Sequence, residues 1–348
     1  MIFPRVVFED ESIRLLGIIP AESTGIEFDE REGEYRKWIE NGYHGTMAYL
    51  ARHEQKKFRP PSILPGAESI VLCGLDYYIP GQRTHSADPV GIISRYAHGR
   101  DYHKELGYRL RRISRNLANV FPGDRFVPFT DATPLAERFF AQRAGLGFTG
   151  RHGLLITPGY GSWVFLGGVL STRRFEPAPE VLSSLRCPVQ CRRCISSCPT
   201  GALLGEGRID ARKCISYLTI EHDGVIPVAL RARMGAWIFG CDECQDACPL
   251  NAGARVTQEP GFLRPIAGME IPLAEVLRIP DTSAFVRRFA GSPLIRAGRN
   301  RLVRNACIAA ANLHATALLP ELKNLLRDSD EVVVETARWA IGELAPLV

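Results

Sequence analysis

The chain has 348 residues, 45% of them hydrophobic and 23% charged, which is the composition of an ordinary water-soluble globular protein with room for one large core or two to three smaller ones. That length removes any need for disulfide stapling, and no run of eighteen or more apolar residues marks a membrane-spanning helix. A net charge of +5 and a pI near 8.7 are mild as global figures, so the placement of arginine carries more than its sum: "YRLRRISRN", "LIRAGRNR" and "RLVRNA" are concentrated patches.

The first stretch, "MIFPRVVFEDESIRLLG", sets acids where a signal peptide requires an uninterrupted apolar core. A cytoplasmic chain with no membrane association is expected, and in that compartment clustered thiols read as metal or redox sites. "SIVLCGLDYY" (69–78), opening after the turn signal "LPGAE", predicts a buried strand, and "GRDYHKELGYRLRRISRNLANVF" (99–121) predicts a helix with a basic face. A further helix is expected after "DATP", through "LAERFFAQRAG" to the glycines at 145 and 147. "SWVFLGGVLST" (162–172) then reads as another buried strand, so the first half is an α/β or α+β unit. "GLGFTG" (145–150) matches G-x-G-x-x-G, but it follows a helix and lacks the acid expected about twenty positions on, so no dinucleotide site is expected. The Pro-containing connector "RRFEPAPEVL" marks a boundary near residue 180. After the Pro-rich "EPGFLRPIAGMEIPL", the segments "NRLVRNACIAAANL", "ALLPELKNLLRD" and "DEVVVETARWAIGEL" predict amphipathic helices with the texture of a short helical-repeat cap. The expected division is 1–180, 181–255 and 256–348.

Eight of the ten cysteines fall between 187 and 248. Cys191, Cys194 and Cys198 form C-x2-C-x3-C-P, and Cys241, Cys244 and Cys248 repeat it. In two-cluster bacterial ferredoxins the last cysteine of such a run crosses to the other cluster. With Cys187 and Cys214 as the extra ligands, crossing over predicts one 4Fe-4S cluster on Cys187, Cys191, Cys194 and Cys248. A second falls on Cys198, Cys214, Cys241 and Cys244. Paired C-x2-C is also zinc-ribbon spacing, but the x3-C-P endings and the lack of histidine before His222 favour iron-sulfur. The gap from Cys187 to Cys191 holds three residues, not two. Cys73 and Cys307 sit in apolar runs and read as small core residues.

Together "SRYAHGRDYHKELGYRL", "DATPLAERFFAQRAGLGFTGRHGLLITPGYGSWVFLGGVL", "CPTGAL", "CISYLTIEH" and "WIFGCDECQDACPLN" resemble the epoxyqueuosine reductases, from about residue 40 to the C-terminus. The resemblance implies an α+β fold: a nitroreductase-like cobalamin domain, a ferredoxin-like two-cluster module and a HEAT-like cap. It implies cobalamin and two 4Fe-4S clusters, an external electron donor, a monomer, and removal of the epoxide oxygen of epoxyqueuosine at the tRNA wobble position. The cobalamin-histidine signature D-x-H-x-x-G is absent; "DYHKELG" misses it by one position.

Read alone, Asp131 before a Thr-Pro is a helix cap; the resemblance makes it the family's proton donor, which requires a raised pKa. Lys57, in "KKFRP" where the family has a basic cobalamin contact, reads equally as a loop lysine. Tyr96 and Ser216, in "SRYA" and "CISYLT", are either corrin contacts or packing residues. "GRHG" (150–153) departs from the family's "GKN". At the C-terminus Arg296, Arg299, Arg301 and Arg304 have no acid among them through residue 320, and 296, 299 and 303/304 share a helical face, so a phosphate-binding stripe for tRNA is expected. Two other readings share parts of this pattern. A dehalogenase-like reductase of a small molecule would not need the basic C-terminus, and a ferredoxin-fusion electron carrier leaves the first 180 residues without a purpose.

Overall fold

The computed structural model describes residues 3–4, 13–22, 25–81, 88–177 and 185–345. Most of the N-terminal stretch read above and the end of the "RRFEPAPEVL" connector lie outside them. The first half runs β1 (Leu15–Pro20), α1 (Ile26–Glu40), β2 (Ser69–Asp76), β3 (Val90–Ile93), α2 (Tyr102–Val120), β4 (Phe126–Thr130), α3 (Glu137–Arg143), β5 (Phe148–Thr149), β6 (Leu155–Ile156) and β7 (Val164–Ser171).

An antiparallel sheet of order β1-β2-β7-β4 carries this half. Every residue of β2 is buried, and its side chains alternate between two cores, as the period of two in a strand requires. Val71, Cys73 and Leu75 face α2 through Leu106, Leu110, Ile113 and Leu117. Ile70 and Leu72 face Phe28 of α1 and Phe139 and Phe140 of α3. Burying those four α2 side chains favours the packed helix by roughly 2 kcal/mol each before entropy is counted. The helix approaches closely because β7 has glycine beneath it: a Cβ on Gly167 would lie 2.9 Å from Leu110 and 2.8 Å from the Phe129 carbonyl oxygen. "GLGFTG" has a similar packing cause, since a Cβ on Gly147 would meet the Ile156 carbonyl oxygen at 2.2 Å.

The second half runs α4 (Arg193–Ser197), β8 (Leu203–Gly205), β9 (Arg208–Ile209), α5 (Ile215–Ile220), β10 (Trp237–Phe239), α6 (Glu243–Asp246), β11 (Glu270–Pro272), α7 (Leu273–Leu277), α8 (Thr282–Phe289), α9 (Gly298–Asn312), α10 (Leu319–Asn324) and α11 (Glu331–Leu344). The cores do not follow chain order. β3 is the middle strand of a second sheet, parallel to β10 and antiparallel to β11, and Ile93 and Ala97 pack into the core of α7, α9 and α11.

α9 departs most from its sequence reading. It is not amphipathic with a solvated basic face; Leu302 through Ala311 are all buried, with alanines at 306, 309, 310 and 311 admitting its neighbours. Arg304 is 1% exposed and donates to the carbonyl oxygens of Leu218, His222 and Gly224 at 2.6–2.7 Å. Arg299 is buried as well, bonding the Ile279 carbonyl oxygen and pairing with Asp328 at 2.5 Å. Neither is free to meet a phosphate, which corrects the expected stripe. Among the described residues, no helix is long and apolar enough to cross a membrane.

Candidate functional site

Asp101 caps α2 by accepting the backbone N–H of His103 at 3.1 Å, which fixes the first turn so that Tyr102 and His103 stand at the open end of the sheet. β4 ends at Thr130, delivering Asp131 to the same point. The Tyr102 hydroxyl donates to one Asp131 oxygen, and His103 Nε2 lies 2.7 Å from the other. His103 Nδ1 is 3.0 Å from Asp101, so the imidazole spans two carboxylates. Arg296 comes from the C-terminal half; it contacts the His103 ring, lies 5.3 Å above the Tyr102 ring and reaches Asp101 at 3.4 Å.

His103, Asp131 and Arg296 line a cavity of about 430 Å³ together with Tyr49, Lys57 and Glu221. Burial raises the pKa of Asp131 above the ordinary carboxylate value, against the opposing hydrogen bond from Tyr102, backbone N–H groups and the charge of Lys57. Its side chain keeps 38% of its surface open to the cavity, so filling the cavity would strengthen the push. Burial lowers the pKa of Lys57, while Glu137 and Asp131 pull it upward. Burial also raises Glu221, and it pushes Tyr49 up to about 12. A carboxyl biased toward its protonated form, with a phenol and an imidazole on its two oxygens, can donate a proton into the cavity and be reprotonated.

Lys57, Asp131 and Arg296 are thus brought together. Tyr96 stands behind them, its ring 6.2 Å from that of Tyr102 and 5.9 Å from that of Phe239. Arg301 is held at 2.8 Å by Asp223, a partner from outside the 296–320 window. Tyr102, His103 and Glu221 were missed as site residues. The signal for the first two was the Asp-capped helix start, which aims first-turn side chains past the end of a sheet.

The cysteines gather into two groups. Cys187, Cys191, Cys194 and Cys248 line one small cavity with Arg151 and His152. Cys214, Cys241 and Cys244 lie within electrostatic reach of one another, Cys198 lies within reach of Cys214 and Cys244, and Cys194 of the first group also reaches Cys244, so the two groups adjoin. Burial pushes the thiols of Cys194, Cys214, Cys241, Cys244 and Cys248 upward, which disfavours free thiolates. Backbone N–H groups oppose this: Ser216 and Tyr217 toward Cys214, Glu243 toward Cys241, Leu250 and Asn251 toward Cys248. The Ala202 N–H donates to Cys198 Sγ at 3.3 Å. Four sulfurs per set, with amides aimed at them, is a donor set suited to an iron-sulfur cluster. Ser216 belongs to this scaffold, in the first turn of α5. Between Cys241 and Cys244, Asp242 accepts the Arg95 N–H at 2.9 Å, tying "SRYA" to the second group.

A family model described as "4Fe-4S double cluster binding domain" matches residues 186–251, and one described as "Epoxyqueuosine reductase QueG, DUF1730" matches residues 57–132. A protein of Xanthomonas campestris pv. campestris named epoxyqueuosine reductase is 38% identical over 330 residues, covering 92% of this chain and 90% of that one. The chain belongs to the epoxyqueuosine reductase family. Among epoxyqueuosine reductases of known structure, one with a tRNA-Tyr epoxyqueuosine-modified stem loop is 29% identical, with a TM-score of 0.87 over 97% of this chain and 88% of that chain. The Bacillus subtilis epoxyqueuosine reductase, with its catalytic aspartate loop swung out of the active site, matches at 29% identity and a TM-score of 0.87, over 98% and 90%.

Proposed function

We infer that this chain reduces epoxyqueuosine to queuosine at the wobble position of tRNA, the last step of queuosine biosynthesis. The epoxide accepts two electrons and two protons, both C–O bonds break, a carbon–carbon double bond forms and the oxygen leaves as water. The observation that carries this reading is the carboxyl of Asp131, biased toward its protonated form between Tyr102 and His103 at the edge of a polar cavity. Asp131 delivers a proton to the departing oxygen; His103 and Tyr102 hold the carboxyl in register.

Cys187, Cys191, Cys194 and Cys248 would hold one 4Fe-4S cluster and Cys198, Cys214, Cys241 and Cys244 a second, and together these would supply a route for electrons from an external donor. Cobalamin, when bound, supplies a low-potential nucleophilic cobalt. Lys57 and Asp131 from the cavity wall, Tyr96 behind it and Ser216 on the cluster side are the residues assigned to hold it, and the convergence of the first two on one cavity supports this. Arg296 is the arginine assigned to the anticodon loop, with Arg301 at the rim. We read the four-stranded unit as nitroreductase-like and the packed pair α9 and α11 as HEAT-like, in a monomer acting in the cytoplasm. The test is anaerobic turnover of an epoxyqueuosine-bearing stem loop by the cluster-loaded, cobalamin-loaded protein under a low-potential reductant. Queuosine formation by the wild type and turnover about 10²–10⁴ lower by D131N is the expected result; equal turnover by both refutes the assignment.

A further inference from the structure

The cysteine that breaks the spacing rule lies in the most exposed part of the cluster region. Cys191 follows Cys187 after three residues, whereas the Cys191–Cys194 and Cys241–Cys244 gaps hold two. The extra residue is taken up in a turn, closed by the Cys191 N–H donating to the Pro188 carbonyl oxygen at 3.0 Å, that lifts Val189 to 79% exposure. Arg151 fixes this turn from beneath, donating to the carbonyl oxygens of Pro188 at 2.8 Å, Val189 at 2.7 Å and Cys191 at 2.5 Å. An exposed apolar tip held rigid by a cation has a low ordering cost on contact with a partner.

Charge surrounds that tip. Residues 185–204 contain no acid, and Arg186, Arg192 and Arg193 are exposed with no carboxylate partner among the described residues. Arg151 spends its donors on carbonyl oxygens, and it too has no carboxylate partner among the described residues. Pro188, Pro249 and Leu250, all exposed, wall the cavity of Cys187, Cys191, Cys194 and Cys248. The second cysteine group lies on the other side, toward the catalytic cavity: Cys214 caps α5, and Glu221 at the end of α5 lines that cavity.

We propose that this face is the docking surface for an acidic one-electron carrier protein, which delivers electrons to the outer cluster. This rests on the cluster reading above. In each encounter the reduced carrier gives up one electron, the cluster gains it, and no bond is made or broken. An apolar centre over the redox group inside a cationic rim fits such a carrier: the rim steers an acidic partner, while the centre excludes water at the point of closest approach. An RNA surface would lack reason to place its apolar tip over the cysteines.

The experiment uses flavodoxin hydroquinone as the carrier and photoreduced deazaflavin as a small reductant that needs no docking, with stopped-flow bleaching of the cluster absorbance. Reduction of the wild type by flavodoxin should slow steeply with added salt. R192E/R193E should cut the low-salt rate about tenfold or more and flatten the salt dependence, with iron and sulfide content, deazaflavin reduction and stem-loop affinity unchanged. R186E/V189E reverses the charge just before Cys187 and puts an acid at the apolar tip, so a folding defect in one variant does not end the test. R233E/R287E, changing net charge equally outside the patch, should behave as wild type. An unchanged flavodoxin rate in both patch variants, an equal loss in R233E/R287E, or a loss confined to stem-loop affinity overturns the proposal. Deazaflavin-driven turnover reports on the cluster and reductase reading separately.

Discussion

Replacing Arg304 by methionine separates two roles that its sequence context confuses. In the structure Arg304 bonds three carbonyl oxygens of the 218–224 segment, which leads from α5 to the cavity of Asp131 and Glu221. Methionine fills most of the stem volume but leaves those acceptors without a donor. A buried unsatisfied group costs about 1–3 kcal/mol. Two of the three bonds are only part-buried, so water recovers some of the loss, and the net destabilisation is about 4 kcal/mol. At roughly 2 °C per kcal/mol for a chain of this size, the melting midpoint falls by about 8 °C. The assay pairs anaerobic thermal melting, followed by circular dichroism, with stem-loop binding across a salt series. For R304M the midpoint should drop while the slope of log K against log salt stays at its wild-type value. A phosphate contact would do the reverse, leaving the midpoint in place and shrinking the slope by about 0.7–0.9. That outcome would refute the buried role.

Other perturbations address the two centres and the fold. D131N should lower turnover by about 10²–10⁴ while iron, sulfide and bound corrin are retained. Because burial raises the Asp131 pKa and the protonated form is the active one, wild-type turnover should be highest below that pKa and decline as pH rises through it. H103Q should displace that alkaline limb, and an unmoved limb removes His103 from the proton path. Cys187→Ala should reduce iron and sulfide from about eight of each to about four; unchanged content would show that Cys187 is not a ligand. For Asp328, burial pushes the carboxyl up, but the Arg299 hydrogen bond and nearby backbone amides outweigh it, so the folded pKa lies below the ordinary value. The stability this gives is present above the unfolded pKa and is lost as pH falls through the folded one. D328N should therefore be less stable than wild type at neutral pH and should show a shallower acid transition in urea melts.

The elements legible in the sequence were those decided locally. The apolar run 69–78 read as a buried strand, and 99–121 carried a helical period with a basic face. The repeated C-x2-C-x3-C-P picked out the cysteine region, in which Cys187, Cys191, Cys194 and Cys248 line one small cavity. What escaped were features decided by distant neighbours. Asp131 read alone as a cap because its partners, Tyr102 and His103, lie about thirty residues upstream, and Arg296 reaches their cluster from the far end of the chain. Arg299 and Arg304 read as a phosphate stripe because the 296–320 window holds no acid. Their partners are Asp328 and carbonyl oxygens at 279 and 218–224, which no periodicity reveals. A basic helix with a run of alanines is in fact a buried one when other segments supply acceptors for its guanidinium groups.

The position of β3 has a consequence for how the protein is made. This strand is synthesised early yet is the centre of the sheet β10-β3-β11, and both of its partners are encoded at 237–239 and 270–272. At translation rates of about 5–20 residues per second, it waits roughly 10 to 30 seconds on the ribosome with both hydrogen-bonding edges open. Folding cannot proceed one segment at a time from the N-terminus. A nascent chain stalled before residue 237 would hold an unpaired apolar strand, a natural binding site for a chaperone, and a separately expressed C-terminal third would lack the strand around which its own sheet is built.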